Sequence, residues 1–435
     1  MKEFFRNIAV GIATLLAQGV LRRYRPKIIV VTGSVGKTST KDALAATVAL
    51  GSTVWKSEKS YNTEVGVPLA ILHAKNPWGN PVGWFFVYAK AIALIIFPVQ
   101  YPKWLVLEVG ADKPGDLQSL MRWIRPEVVV VTRLPKVSVH VAFYQSAEQV
   151  NEEESVPARL LRKEGTLILN GDDEIVRNLR DAHDGPTITY GFAPAHTISA
   201  AHAEIIYGEE KGKKEPTGMR FEARAGRETL ALTIPGVIGL THVYPVLASL
   251  ALASRLSIPL RKVAAAMAGH VPPPGRMRLL PGIKGVTLID DTYNSSPVAA
   301  EEALRALQTL KEQTGRRVIA ILGDMKELGS YSDEEHQKLG KHAGGVVDFL
   351  LTVGVEARRI ADGALDAYMD DGKIFQFDEA REAGKFAESL FKEGDIVLIK
   401  GSQSIRMERT VKELMAHPDQ AESLLVRQDA AWQRR

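Results

Sequence analysis

The sequence predicts an α/β protein: a central domain with a mostly parallel sheet of the phosphate-loop nucleotide-binding type, then a smaller C-terminal Rossmann-like domain. Three observations carry that prediction. Short β-branched runs bounded by Gly or Asp alternate with helix-length stretches, the rhythm of βαβ units. The run Ile28-Ile29-Val30-Val31-Thr32 leads through Gly33-Ser34-Val35-Gly36-Lys37-Thr38-Ser39 into a helix that starts near Thr38. The same rhythm restarts after Pro272-Pro273-Pro274-Gly275-Arg276, with no second phosphate loop.

In chain order, residues 4–20 are mostly apolar and end in the basic run Arg22-Arg23-Tyr24-Arg25-Pro26-Lys27. About 17 apolar residues are marginal for crossing a bilayer, and no convincing cleavage site follows. The segment reads as an amphipathic helix, lying on the cytoplasmic membrane face or packed on the domain. Next comes the glycine turn. Its glycines let backbone N–H groups approach an anion, and the helix N-terminus adds partial positive charge. Lys37 then reaches the outer phosphates of ATP and Thr38 suits Mg²⁺. Val31 stands where the first glycine of the usual phosphate-loop pattern belongs.

A helix (40–49) and a strand (53–55) follow, then a second apolar stretch, 82–99, interrupted by Lys90. It is either a buried core helix or an interfacial helix that joins the first in contacting a membrane. The strand 104–108 ends in Glu108, beside the phosphate loop if the sheet is doubly wound, where a further metal ligand is useful. Strands at 128–132 and 167–170 come next, with His140 between them. From about 190 to 235 the pattern turns to short, charged strands, an antiparallel extension. Helices are expected at 243–255 and 261–268. The stiff linker at 272–276 is expected to part a central domain, 28–271, from a C-terminal domain, 272–418. In the latter, strands end in Asp290-Asp291, Gly323 and Lys400-Gly401-Ser402. A helix-bearing segment, 1–27, precedes these domains, and a polar, fraying tail is expected at 419–435.

Bulk properties narrow the function. At 435 residues two or three domains are the prior, and 45% hydrophobic with 24% charged residues is ordinary for a globular protein. A net charge of +4 without a basic-aromatic patch implies no nucleic-acid partner. The absence of cysteine removes disulfides, thiolate zinc sites and a cysteine nucleophile, and fits a cytoplasmic setting.

Taken together, the motifs resemble the Mur ligases, the ATP-dependent amide-bond-forming family of peptidoglycan synthesis, and among them the D-alanyl-D-alanine-adding branch. The resemblance rests on the 33–39 loop, Asn62-Thr63-Glu64-Val65-Gly66-Val67-Pro68, Glu108-Val109-Gly110-Ala111-Asp112-Lys113-Pro114-Gly115-Asp116 and His140. It continues through Leu169-Asn170-Gly171-Asp172-Asp173, Gly275-Arg276-Met277 and Asp290-Asp291-Thr292-Tyr293-Asn294-Ser295-Ser296-Pro297. Leu322-Gly323-Asp324-Met325-Lys326-Glu327-Leu328-Gly329 and Lys400-Gly401-Ser402-Gln403-Ser404-Ile405-Arg406-Met407-Glu408 complete it. Each piece is weak alone; in this order they are strong.

The resemblance implies transfer of the γ-phosphate of ATP to a substrate carboxylate, then displacement of phosphate by an amine. It implies that the 33–39 loop binds the nucleotide, with Lys37 on the β/γ-phosphates. Thr38 and Glu108 would hold one Mg²⁺, with His140 and Glu154 at a second. Arg276, Asp291, Tyr293 and Asn294 would contact the nucleotide, Asn62 and Thr63 the acceptor side, and Lys400 and Ser402 the incoming amine. Asp324 and Glu327 are as apt to cap a helix as to touch ligand, and His336 reads as structural. The implied partners are a peptidoglycan-precursor carboxylate and an amino acid or dipeptide, and the expected state is a monomer, peripheral on the membrane if the apolar segments dock there.

Four departures qualify the match. Only 27 residues precede the first strand, where the family carries a domain for a UDP-sugar. Glu154, within Glu152-Glu153-Glu154, takes the place of the family's carbamylated lysine: either it offers a carboxylate on a shorter arm, or the run is a solvated acidic helix face. Gly239-Leu240-Thr241-His242 replaces Gly-x-His-Asn, and Gln403 replaces an arginine. A poly-γ-glutamate or folylpolyglutamate type of ligase, and a non-catalytic ATP-binding scaffold, remain as alternatives.

Overall fold

A computed structural model describes residues 2–58, 61–210, 213–429 and 432, leaving aside the side chains of 2–4, 210 and 213. Helix α1 (Lys2–Tyr24) leads into β1 (Lys27–Thr32), which passes through the glycine turn into α2 (Lys37–Ala49). There follow β2 (Val54–Lys56), α3 (Gly66–Ile71), α4 (Pro81–Ile96), β3 (Trp104–Glu108), α5 (Asp116–Met121), β4 (Val128–Val131), α6 (Ala147–Glu154), β5 (Thr166–Asn170) and β6 (Thr187–Gly191). Strands β7 (Ile198–Glu210), β8 (Lys213–Ala225) and β9 (Glu228–Pro235) complete a nine-stranded sheet of order β2-β3-β1-β4-β5-β6-β7-β8-β9. Pairings from β2 to β7 are parallel, whereas β7-β8-β9 is an antiparallel meander.

Beyond helices Val243–Leu256 and Leu260–Ala268 and the proline linker lies a second sheet, of order β10-β11-β15-β12-β13-β14. Its strands are β10 (Arg278–Pro281), β11 (Thr287–Asp291), β12 (Val318–Gly323), β13 (Phe349–Val353), β14 (Ile374–Phe377) and β15 (Ile396–Lys400). Only the edge strand β10 is antiparallel. The sequence reading missed β10 and β14, whose four residues each are too short for a clear pattern.

The continuous apolar runs of β1 and β4 follow from a sheet covered on both faces. Ile29, Val31, Val128 and Val130 pack with α2 and the Val243–Leu256 helix. Ile28, Val30, Val129 and Val131 pack with residues of α1, α3 and α4. Each fully buried aliphatic contributes about 1.5–3 kcal/mol. Strands β1, β3 and β4 end together at Thr32, Glu108 and Val131, and β11 and β15 end together at Asp291 and Lys400. These two sets of C-terminal strand ends bound the crevice that holds the site.

Two expectations need correction. Stretch 82–99 is not a buried core helix: in α4 only Val87, Ala91 and Leu94 are buried. Among the described residues no helix is long and apolar enough to cross a membrane. Nor is the stretch after 418 a fraying tail, as far as its described residues go. A helical turn, Ala421–Leu424, buries Ala421 and Leu425, and Arg427 donates to the Thr292 carbonyl just beyond β11. Residues 430, 431 and 433–435 of that expected tail, and Met1 of the expected first segment, lie outside the described residues.

Candidate active site

The glycine turn is held open by two left-handed residues, Gly33 (φ 117°) and Gly36 (φ 89°). A Cβ on Gly33 would stand 2.4 Å from the Thr132 hydroxyl, so that position needs glycine twice over. Val31, in place of the first motif glycine, is a fully buried strand residue. Lys37 donates to the Gly33 carbonyl and lies 3.6 Å from Glu154. On the opposite wall the Ser34 N–H donates to the Arg133 carbonyl at 2.7 Å.

Glu154 is 2% exposed, which excludes the solvated acidic face. Its Oε2 accepts from the Thr32 hydroxyl (2.7 Å) and the Gly33 N–H (3.2 Å), and its Oε1 from the Ala111 N–H (3.3 Å). Its neighbour Glu153 accepts from the N–H groups of Gly115, Leu117 and Gln118 at the start of α5. Thus Glu154 is bound to the phosphate loop and Glu153 to the start of α5.

Glu108, at the tip of β3, is buried; its Oε1 accepts weakly from Asn62 (3.4 Å), while its Oε2 has no hydrogen-bond partner. A buried carboxylate oxygen without a hydrogen bond fits a hard cation whose remaining ligands are phosphate and water. The nearest cation is Lys41, 3.7 Å away and 1% exposed. A buried lysine one turn into a helix has no sequence signature apart from the strand end it meets, and the motif reading missed it.

The expected second metal pair does not assemble. His140, itself left-handed at φ 71°, directs Nδ1 to Glu327 at 2.5 Å, an interaction that holds the Glu327 carboxyl below its usual range. Glu154 is committed to the loop as described. Among the described residues no three His, Cys, Asp or Glu side chains converge on a common point.

The loop separates two cavities. Ser34, Val35, Gly36 and Ser39 line the smaller, about 90 Å³, together with His242, Arg276, Asp291, Asn294 and Lys400. Thr38 and Lys41 line the larger, about 1700 Å³, with Thr63, Asp112, Tyr293 and Gln403. In the smaller cavity the Arg276 guanidinium stacks 3.9 Å above the Tyr293 ring, and its Nε is a buried donor without a partner, suited to an anion. His242 donates Nε2–H to the Arg276 carbonyl (2.9 Å), since a carbonyl can only accept; burial depresses the ring to about 4.

Several expected contacts differ. Lys400 is buried at the smaller cavity, donating to Asp291 (2.7 Å) and the Asn294 carbonyl (2.9 Å). Asp291 is consequently an ion-pair partner, and Tyr293 lines the larger cavity. Ser402 turns inward and accepts from the Lys326 N–H at 2.8 Å. Asn62 buttresses Glu108, leaving Thr63 on the cavity wall. Asp324 accepts from the Ala357 N–H (2.7 Å), and His336 from the Met325 N–H (2.9 Å), both structural roles. A residue missed altogether is Arg427, which donates to Glu408 (2.9 Å) and to the carbonyls of Thr292 and Tyr293 while lining the larger cavity.

Comparison with known proteins agrees with this geometry. Residues 31–253 match the Mur ligase middle domain, and residues 275–403 match the domain described as "Mur ligase, glutamate ligase domain". The UDP-N-acetylmuramoyl-tripeptide--D-alanyl-D-alanine ligase of Bacillus subtilis is 26% identical over 404 residues, covering 93% of this chain and 79% of that one. Its Mycobacterium leprae counterpart is 28% identical over 419 residues, covering 92% and 74%. Among solved structures, MurF from Acinetobacter baumannii superposes with a TM-score of 0.75 at 21% identity, covering 93% of this chain and 79% of that chain. MurF from Thermotoga maritima in complex with ADP gives 0.73 at 24% identity, covering 95% and 84%. At these identities the superpositions speak for the fold alone. The two matched domains follow one another in order, meet at the proline linker and between them supply the walls of the loop-side cavity: the chain belongs to the Mur ligase family.

Proposed function

We propose that this protein is an ATP-dependent, ADP-forming ligase of peptidoglycan-precursor synthesis, joining an amine donor to a carboxylate acceptor through an acyl phosphate. The observation that carries this reading is the loop between two cavities. Gly36 and Thr38, two positions apart, line the smaller and the larger cavity respectively, so a nucleotide whose phosphates enter the smaller cavity presents the terminal one to a carboxylate in the larger. In the first step a carboxylate oxygen attacks the γ-phosphorus and the bond to the β-phosphate oxygen breaks. In the second the amine attacks the acyl carbon, phosphate departs and the amine gives up a proton.

The chain's part is positioning and charge neutralisation. The loop N–H groups and Lys37 hold the β/γ-phosphates, and Arg276 and Asn294 close over the nucleotide from the C-terminal domain. Thr38 and Glu108 would hold Mg²⁺, which offsets charge as it develops on the transferring phosphoryl group. UDP-muramoyl-tripeptide as acceptor and D-alanyl-D-alanine as donor are taken over from the named relatives.

The test is phosphate release from ATP by the purified protein, with the two substrates together and separately, beside Lys37→Ala. Release that requires both and falls at least ~100-fold in the variant supports the reading. Nucleotide binding without release on this pair, on a lipid-linked muramoyl peptide, or on a glutamate acceptor would favour the binding-only scaffold. Release on glutamate alone would favour a poly-γ-glutamate type of ligase.

A further inference from the structure

Helices α1 and α4 run side by side in the same direction. Tyr88 donates to the Ala9 carbonyl (3.0 Å) and Tyr24 to the Leu94 carbonyl (2.7 Å). The inward faces bury Ala13, Ala17 and Val20 of α1 and Val87, Ala91 and Leu94 of α4 against the domain. Further large apolar side chains face out. On α4, Val82, Phe85, Phe86, Ile92 and Ile96 are exposed, Phe85 at 65% and Phe86 at 67%, and their spacing is one helical stripe. On α1, Phe5, Ile8, Ile12 and Leu15 form a second exposed stripe. With the flanking Trp78, Phe97 and Val99, these make up twelve of the twenty exposed large hydrophobics among the described residues. Each helix thus carries a second apolar stripe, toward solvent, besides the one it buries. An apolar face this concentrated marks a contact surface rather than ordinary scatter.

Charge indicates what covers it. Between residues 4 and 27, and again between 65 and 107, there is no Asp or Glu. Those segments carry Arg22, Arg23, Arg25, Lys27, Lys75 and Lys103, all exposed and flanking the apolar stripes. Apolar rows bordered by unopposed cations match the boundary between acyl chains and anionic headgroups. Helix α4, with 16 residues and a length of about 24 Å, is too short to span a hydrocarbon core of about 30 Å, so it lies in the interface plane.

We propose that the α1–α4 face docks on an anionic phospholipid bilayer. Phe5, Ile8, Ile12, Trp84 and Tyr88 also line the larger cavity, so docking sets the mouth of that cavity at the lipid surface.

The proposal does not depend on the ligase reading, because lipid binding is measured without turnover. The test is co-sedimentation of the full chain with vesicles of phosphatidylcholine alone and of phosphatidylcholine with phosphatidylglycerol in equal parts. The expected result is at least ~10-fold tighter binding to the anionic vesicles. The double variant Phe85→Ser/Phe86→Ser, both exposed, is expected to lose binding at least ~10-fold with an unchanged melting temperature. The charge variant Arg22→Glu/Arg23→Glu should abolish the preference for phosphatidylglycerol. Equal sedimentation of the wild type and the phenylalanine variant, or no sedimentation of either, would overturn the proposal. So would a soluble dimer, by light scattering, that the phenylalanine variant abolishes, since a second copy would then be the occupant.

Discussion

Glu154 joins the phosphate loop to the start of the Glu108 segment: Thr32, Gly33 and Ala111 donate to it and Lys37 lies alongside. Glu154→Gln keeps the shape but removes the charge and turns an N–H₂ toward donors. A cost of about 2 kcal/mol in denaturant unfolding is expected, with phosphate release reduced at least ~10-fold as Lys37 loses its guide. Unchanged release would show that Lys37 needs no such guide. Asp290 supplies a pH effect. It is fully buried, its Oδ2 has no partner, and burial raises the carboxyl from 3.8 to about 6. A raised carboxylate value means that folding takes up a proton, so this group's contribution to stability falls as the pH rises from about 4 to about 6. The two-unit difference corresponds to about 3 kcal/mol at most. His242, depressed to about 4 by burial, acts in the opposite sense and stabilises as the pH rises over 4–6.5. In Asp290→Asn the carboxyl's opposing slope is removed, so unfolding free energy measured between pH 4 and 6.5 should climb more steeply than in the wild type. At this scale the sequence indicated Lys37 and Glu108 but not Lys41, because a motif names loop residues and strand ends, while Lys41 acquires its partner only when α2 packs beside β3.

At the scale of elements, the C-terminal segment acts as a strap across the interdomain linker. Val426 packs at Gly275, where a Cβ would meet it at 3.1 Å, and Arg427 ties Thr292 and Tyr293 to Glu408. Arg427→Ala leaves a buried Glu408 with Arg406 as its remaining partner. It should destabilise by about 3 kcal/mol, and it should raise the KM of the amine donor more than that of ATP, because Arg427 borders the larger cavity beside Gln403. Arg427→Lys should recover part of the stability. Equal shifts in both KM values would assign Arg427 to the fold alone. This strap was read as a frayed tail because its composition is polar, and its order comes from partners more than a hundred residues earlier. The inverse holds for 82–99: high apolarity suggested core, yet α4 buries only Val87, Ala91 and Leu94 against the domain and leaves a second apolar stripe outside.

At the scale of the molecule, the smaller cavity exists only because two sheets meet. The β7–β8 strands reach across, placing Ile205 and Met219 in the core of the C-terminal domain. There Glu215 pairs with Arg316 at 2.9 Å, and Tyr207 donates to Gln313 at 2.6 Å. Lys400 and Asp291, adjacent across β15 and β11, then close the wall opposite the loop. The sequence by itself determined the two α/β domains, the strand order's parallel character, the nucleotide loop and the family, because these depend on local periodicity, glycine positions and motifs in fixed order. Only the tertiary structure decided that Glu154 belongs to the loop, that His140 pairs with Glu327, that Lys400 lines the smaller cavity and that two helices carry a second apolar stripe outward. Each of those outcomes is a choice of partner between residues far apart in the chain, and partner choice is settled by packing and burial, which no local pattern encodes.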